Sequence, residues 1–341
     1  MTRRIFAATA AAAAALPAAG ERIRIAFIGL NHSHAEDKLK ICRNSPDWEF
    51  AGAWEPNEKI AEPYRKAGVR FRDKAAILAD KTIPVVAVES EVKPHARYAL
   101  EALAAGKHLH LEKPPSDNMA DMRKIMDLAR KQKRLVQIGY MWRHHPGMNK
   151  VIEAARQGWL GNIYLVRGQM NTLITDRRWE WALFHGGQMF EQGGHLIDPL
   201  VRMMGRPGKI TPFLRHDGKY NDNLLDNTAA VFEYPGAMAV ITSSVLQPGA
   251  TGHRMFEAQG ANGVALLRPI EGPPRLEIEL VKSAGPYQAG KNIVELPPYQ
   301  RYAGDFLDLA SCVRTNTPLL ITPGQDLDVQ EALLRASGMF V

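Results

Sequence analysis

Cysteine is nearly absent from this chain: 341 residues contain two, Cys42 and Cys312. They lie far apart without metal-ligand spacing, which excludes a disulfide framework and leaves them as small buried apolar residues. A long apolar run is missing too. The alanine-rich stretch near the N-terminus is too short to span a membrane as a stable anchor. Aromatics make up 8% of the chain, and no basic stripe interleaves with them. Nucleic-acid binding is therefore not expected, although 43 Lys and Arg against 36 Asp and Glu give a net charge of +7. The densest basic run, Arg130-Lys-Gln-Lys-Arg134, follows a helical pattern and reads as its solvated end. No low-complexity linker and no internal repeat divide the chain. Its length supports two domains, each with its own core.

What is present begins with Thr2-Arg3-Arg4-Ile5-Phe6, followed by alanines ending at Leu16-Pro-Ala-Ala-Gly20. A charged start, a short apolar centre and small residues at the end describe an export signal over residues 1–20. The adjacent arginines resemble the twin-arginine type, which exports folded proteins. The expectation is a periplasmic or otherwise exported protein with no membrane anchor.

From Arg22 to Gly139 apolar strands alternate with amphipathic helices, which predicts a doubly wound α/β domain over residues 21–145. Arg22 to Ile28 is a β-branched first strand ending at Gly29. A dinucleotide fingerprint would continue with two more glycines. The chain instead reads Gly29-Leu30-Asn31-His32-Ser33-His34, so Asn31 would have to supply the left-handed geometry of the second. The helix start behind His32 and Ser33 would suit a pyrophosphate. His32 and His34 have no third metal ligand in sequence reach, and no metal is expected. Glu55 ends the second strand, where a carboxylate accepts ribose hydroxyls and repels a 2′-phosphate; it favours NAD over NADP.

The chain is organised around Gly106-Lys-His-Leu-His-Leu-Glu112-Lys113-Pro-Pro115. A short buried strand is stopped by two prolines, because proline lacks the ladder donor and restricts the residue before it. Lys113 is left at the carboxyl end of a strand, where open α/β sheets bind ligands. Ala105-Gly-Lys-His-Leu-His-Leu-Glu-Lys-Pro114 resembles the Glu-Lys-Pro signature of the Gfo/Idh/MocA group of nicotinamide-dependent oxidoreductases, and the resemblance runs from Arg22 to the C-terminus. It implies that Glu112 and Lys113 face the nicotinamide and the substrate hydroxyl, often across a cis Lys-Pro bond. It further implies that Ser90 and His95 cover the nicotinamide-side ribose, Glu91 replacing the usual proline, and that Arg143 reaches a substrate oxygen. The loop Gly29 to His32 and Glu55 complete the expected cofactor contacts.

Residues 146–341 predict an α+β substrate and oligomerisation domain with an open, largely antiparallel sheet and a last helix packing back on the first domain. Within it, Gly186 to Asp198 predicts one helix carrying Glu191, His195 and Asp198 on a single face. Gly193 and Gly194 weaken that helix by roughly 1 kcal/mol each, and they would let a nicotinamide or sugar ring approach. The family shows Asp-x-x-x-His-x-x-Asp here, so Glu191 stands for the first aspartate. Oxidation of a secondary alcohol needs a base, a role suited to His195. Lys113 would stabilise the developing charge on the same oxygen, with Glu191 as orienter or alternative acid. Asp198 and Trp181 complete the substrate set, since aromatic faces bind sugar rings.

The reading is NAD-dependent hydride transfer to or from a sugar, cyclitol or polyol, by a homo-oligomer. An exported enzyme would carry its cofactor tightly bound and regenerate it by paired oxidation and reduction. A redox-neutral glycosidase or lyase would use the same residues. A non-catalytic ligand-binding protein on the same scaffold is the third reading.

Overall fold

The computed structural model describes residues 20–339; the export signal read over residues 1–20 lies outside them but for Gly20. The first domain runs β1 (Ile23–Ile28), α1 (Ala35–Asn44), β2 (Trp48–Trp54), α2 (Glu58–Lys66), α3 (Lys74–Ala79), β3 (Val85–Val88), α4 (His95–Ala104), β4 (His108–Leu111), α5 (Met119–Gln132) and β5 (Val136–Ile138). Its five strands are all parallel, in the order β2-β1-β3-β4-β5. Every residue of β3, β4 and β5 is buried, as expected where helices cover both faces of a parallel sheet. The strand order reverses between β1 and β3, so a crevice opens beyond their carboxyl ends.

The second domain continues with α6 (Pro146–Arg156), β6 (Ile163–Gln169) and α7 (Arg178–Trp181). A π-helical turn (Met189–Gly193) then leads into α8 (Gly194–Met204). Six further strands follow: β7 (Lys209–Arg215), β8 (Asn227–Tyr234), β9 (Ala237–Ser244), β10 (Met255–Gly260), β11 (Gly263–Leu267) and β12 (Leu276–Leu280). The chain closes with β13 (Gly290–Val294), α9 (Ala303–Thr315) and α10 (Pro323–Ala336). The sheet order is β13-β12-β11-β10-β6-β9-β8-β7, antiparallel except for the β6–β9 pair. α6, α8 and α10 cover one face, and among the described residues no helix covers the other.

Sequence reading missed β7, β11 and β13. β7 and β13 are edge strands with no buried side chain, and β7 contains Pro212. Edge strands tolerate proline and need no strict alternation, so the usual signal is weak. The last helix does rest on α5, where Gln330 donates to the Ser116 carbonyl at 2.6 Å, but it packs equally on α8 and β7. α9 is tied to the first domain as well: Trp48 Nε1 donates to the Phe306 carbonyl at 3.2 Å and Arg314 pairs with Asp47 at 2.5 Å.

Gly186 to Asp198 is not one α-helix. The π turn inserts a residue at Glu191 and Gln192, so the even spacing expected of Glu191, His195 and Asp198 is broken. The two glycines answer to packing rather than to a ligand. A Cβ on Gly193 would stand 2.4 Å from Met189 Sδ, and one on Gly194 would stand 2.7 Å from Tyr140 Cε1.

Candidate active site

Three strand ends build the crevice. At the end of β1, Gly29 has φ +82°, and a Cβ there would lie 2.5 Å from Ser90 Cα at the end of β3. Only glycine meets both demands. Asn31 does not take the left-handed conformation expected of it; the loop turns at Gly29 alone. Glu55 holds that turn, its Oε2 accepting from Leu30 N at 2.7 Å and its Oε1 from Asn57 N at 2.9 Å. Burial pushes the Glu55 carboxyl upward, and these two amides pull it back.

The first turn of α1 has no side-chain cap, leaving backbone N–H groups free for an anion. That uncapped helix, the side-chain-free turn at Gly29 and the strand-end carboxylate of Glu55 fit a dinucleotide. Gly29, Leu30, Asn31 and His32 would line its pyrophosphate, and Glu55 its adenosine ribose.

At the end of β4 the Lys113–Pro114 peptide is cis. Lys113 Nζ donates to the Glu191 carbonyl at 3.0 Å and to Glu191 Oε1 at 2.9 Å. The amine from one domain thus reaches the turn that carries His195 in the other. Glu191 pairs with Lys113 and stands 3.9 Å from His32 Nε2, so the orienter role toward His195 is corrected. His195 is buried beside Tyr140, Trp142 and His34, with ring centroids 6.0, 5.8 and 6.1 Å away. Its Nδ1, the Tyr140 hydroxyl and Trp142 Nε1 are all buried without a protein partner. Buried polar groups ordinarily find partners, so these three unpartnered atoms make the surroundings of His195 a candidate for polar chemistry. Burial, then the Lys113 charge, hold the His195 imidazole well below its ordinary pKa.

Beneath this lies a charge cluster that sequence reading missed. Lys38, fully buried in α1, donates to Glu89 Oε1 at 2.9 Å and also to Glu112 Oε2. His34 Nδ1 stands 3.2 Å from the same Glu112 oxygen, and Glu112 Oε1 accepts from Lys113 N at 2.8 Å. Burial opposes the Glu112 charge, but His32, Lys38 and His34 outweigh it and hold the carboxyl well below its usual range. Glu89, with burial dominant, is pushed up to about 8. Lys38 reads as surface from its charged neighbours in the sequence; only its three- and four-residue spacing from the buried Ala35 and Cys42 of α1 hinted otherwise.

Glu112 also supplies the third ligand that the two histidines lacked. Atoms of His32, His34 and Glu112 lie within 4.8 Å of one another, close enough to hold a cation. Lys38 already occupies the shared Glu112 oxygen, so the cluster is built first as an ion pair.

Several expected contacts lie elsewhere. Arg143 is 2% exposed and donates to Asp198 Oδ1 at 2.8 Å and to Asp326 Oδ1 at 2.5 Å. It does not reach the crevice, and Asp198 is spent on it, because a buried guanidinium requires carboxylates around it. This triad ties the exit of β5 to α8 and α10. His95 is fully buried with Nδ1 2.8 Å from the Pro114 carbonyl and Nε2 2.9 Å from the Ser90 carbonyl, so it braces the two turns rather than covering a ribose. Ser90 Oγ donates to the Glu91 carbonyl at 2.9 Å. Trp181 is half-buried on α7, whose Arg178 is tied to Asp222 and Asp226.

The family profile described as oxidoreductase family, NAD-binding Rossmann fold, matches residues 23–140, and that of the GFO/IDH/MocA C-terminal domain matches residues 148–266. D-glucoside 3-dehydrogenase of Escherichia coli is 29% identical over 154 residues, 44% of each chain. The chain spans about half the length of the curated relatives it matches. Among solved structures, aldose-aldose oxidoreductase from Caulobacter crescentus, complexed with glycerol, superposes with TM-score 0.78 at 19% identity, covering 93% of this chain and 98% of that one. UDP-N-acetylglucosamine 3-dehydrogenase from Acidithiobacillus ferrooxidans gives 0.76 at 18%, covering 93% and 97%. With the strand-end lysine, the parallel sheet and the mixed second sheet all in place, the chain belongs to the Gfo/Idh/MocA family of NAD-binding oxidoreductases.

Proposed function

We propose that this protein transfers hydride between a nicotinamide cofactor and a secondary alcohol of a sugar, cyclitol or related polyol. The observation that carries it is the approach of Lys113 from β4 to the Glu191–His195 turn, beside three unpartnered buried polar atoms. When bound, NAD supplies the electrophilic carbon that takes the hydride. Lys113 steadies the carbinol oxygen as charge develops on it. The neutral His195 accepts the hydroxyl proton, and the Tyr140 hydroxyl and Trp142 N–H orient neighbouring hydroxyls. Trp181 offers an aromatic face to the ring, and Ser90 lines the nicotinamide side. The likeness to D-glucoside 3-dehydrogenase supports a sugar substrate. A retained cofactor, oxidised and reduced in turn, is what an exported enzyme would need.

The test is mass spectrometry of nucleotide released from freshly purified protein, followed by a panel of polyols read at the NADH absorbance. Retained NAD and reduction by one substrate class are expected. Release of the leaving group from aryl glycosides without net NADH would replace the reading with the redox-neutral one. Absence of any nucleotide affinity would replace it with a binding protein.

Two further outcomes follow. Glu55→Gln keeps an acceptor for Leu30 N but removes the charge that repels a 2′-phosphate. Its NAD affinity is expected to fall modestly while NADP affinity rises about tenfold, some 1.4 kcal/mol, measured by nucleotide fluorescence titration. The uncovered sheet face presents Phe213, Val231, Met238, Val240, Leu165 and Leu266, half-buried or exposed. These apolar side chains, interspersed with the Arg167–Glu257 and Lys209–Glu233 ion pairs, fit an interface, which we assign to a second copy of this chain. Val240→Glu is expected to shift a dimer or higher oligomer to monomer by light scattering. A wild-type protein monomeric at micromolar concentration would sink the assignment.

A further inference from the structure

Two guanidinium groups of the second domain share a single carboxylate. Arg254, the residue leading into β10, donates from Nη1 to Glu271 Oε2 at 2.9 Å and from Nε to the Asn171 carbonyl at 3.3 Å. Arg301, just ahead of α9, donates to the other oxygen of Glu271. Among the described residues neither arginine pairs with a second carboxylate. Two cations and one anion leave one positive charge over, where the Arg254 and Glu271 side chains are only 10% and 11% exposed. A buried guanidinium ordinarily gathers enough carboxylates to balance it, as Arg143 does with Asp198 and Asp326. Arg254 does not. Burial depresses its charged form against the pull of Glu271, and the Arg301 charge adds to the depression. Its Nη2 makes no protein hydrogen bond among the described residues and, unlike the orphaned atoms around His195, is not sealed off.

Both arginines reach toward the crevice. β10 pairs with β6, Met255 opposite Gln169, so Arg254 sits beside the end of β6. α8 lies on that strand: a Cβ on Gly168 would stand 3.2 Å from the side chain of Leu196, the residue after His195. Behind burial, Lys113 and His34, the Arg254 charge is among the influences that hold His195 low. Arg301 precedes Tyr302, whose ring centroid stands 5.2 Å from that of His34.

We propose that Arg254, aided by Arg301, binds a carboxylate on the substrate, so that the polyol oxidised here is a sugar acid, an aldonate or a uronate. This rests on the polyol oxidoreductase reading above. A planar guanidinium with a free N–H edge matches the geometry of a carboxylate, and in a recess of low dielectric such a pair is stronger than at a surface. Glu271 offsets the repulsion between the two arginines and sets the charge of the subsite. A carboxylate cancels the single charge left over, whereas a phosphate dianion overshoots it beside Glu271.

The test compares glucuronate with glucose and gluconate with glucitol, each a matched pair, at the NADH absorbance. The acid of each pair is expected to have a kcat/KM about 10- to 100-fold higher, the range of a charge-assisted hydrogen bond. In Arg254→Met that preference is expected to collapse, the loss lying in KM for the acid. An arginine that only braced the fold would lower both members of a pair alike, and an unchanged ratio overturns the proposal. Equal or better use of the neutral sugar by the wild type also overturns it, while leaving polyol oxidation standing. Should no polyol, charged or neutral, be oxidised, the functional reading fails, and calorimetry of glucuronate binding to the protein with added NAD decides the subsite alone. Binding that Arg254→Met abolishes upholds the subsite, and absence of binding to the wild type overturns it. Should Arg254→Met fail to fold, Arg301→Met, at a more exposed position, must weaken glucuronate binding about fivefold or more; unchanged binding overturns the proposal.

Discussion

Lys113→Met is expected to lower turnover by about a thousandfold while the protein stays folded and keeps its nucleotide. The ammonium is a cationic donor placed at the meeting of the two domains, held by the Glu191 carbonyl and carboxylate. Removing a single preorganised donor to a developing oxyanion typically costs a factor of 10² to 10³. The loss should appear in kcat rather than in nucleotide affinity, because the turn at Gly29 and Glu55 lies on other strands. Steady-state kinetics beside a fluorescence titration of NADH separates the two. Near-normal kcat in this variant would end the assignment of the crevice as the reaction centre.

Lys38→Met is expected to be the most destabilising single change in the first domain. Its ammonium is the counter-ion of both Glu89 and Glu112, all three fully buried. Removing one partner of a buried ion pair leaves uncompensated charge and costs about 3–5 kcal/mol. The cost should depend on pH in a definite direction. Glu89, raised above its unfolded value, binds its proton more readily in the folded state, so it contributes stability that is lost as pH rises toward about 8. Without Lys38 this tendency strengthens, since the second carboxylate is then neutralised only by a proton. Glu112 runs the other way: its carboxyl is depressed, so the stability it contributes is present above the ordinary carboxylate range and lost as pH falls through its folded value. Urea denaturation should therefore show the deficit of Lys38→Met shrinking from pH 8 to pH 5.5. A deficit that is constant over that window, or under 1 kcal/mol, would show that Lys38 is not the counter-charge of the two carboxyl groups that the geometry implies.

The cluster also shows where reading the chain ran out. The strands β1 to β5 and their helices were legible because their apolar runs must be buried on both faces, and burial leaves its period in the sequence. Lys113 was legible because two prolines halt a buried strand there. Lys38, Glu89 and His34 were not, since each looks like ordinary surface polarity within its own segment. Their meaning comes from one helix and two strand ends arriving at one point, Glu89 and Glu112 lying 51 and 74 residues beyond Lys38 in sequence. Arg143 and Asp198 failed in the opposite sense: each matched a pattern, and the fold turned them toward each other and Asp326 instead of toward the crevice.

By itself the sequence determined the alternation of strand and helix, the position of the strand-end lysine and the family, because these depend on local hydrophobic period, chain stiffness at proline and contiguous motif. Tertiary structure alone decided which carboxylate serves which cation. Charge pairing follows distance in space, and in the dry interior a difference of one partner outweighs any preference that neighbouring residues in the chain can express.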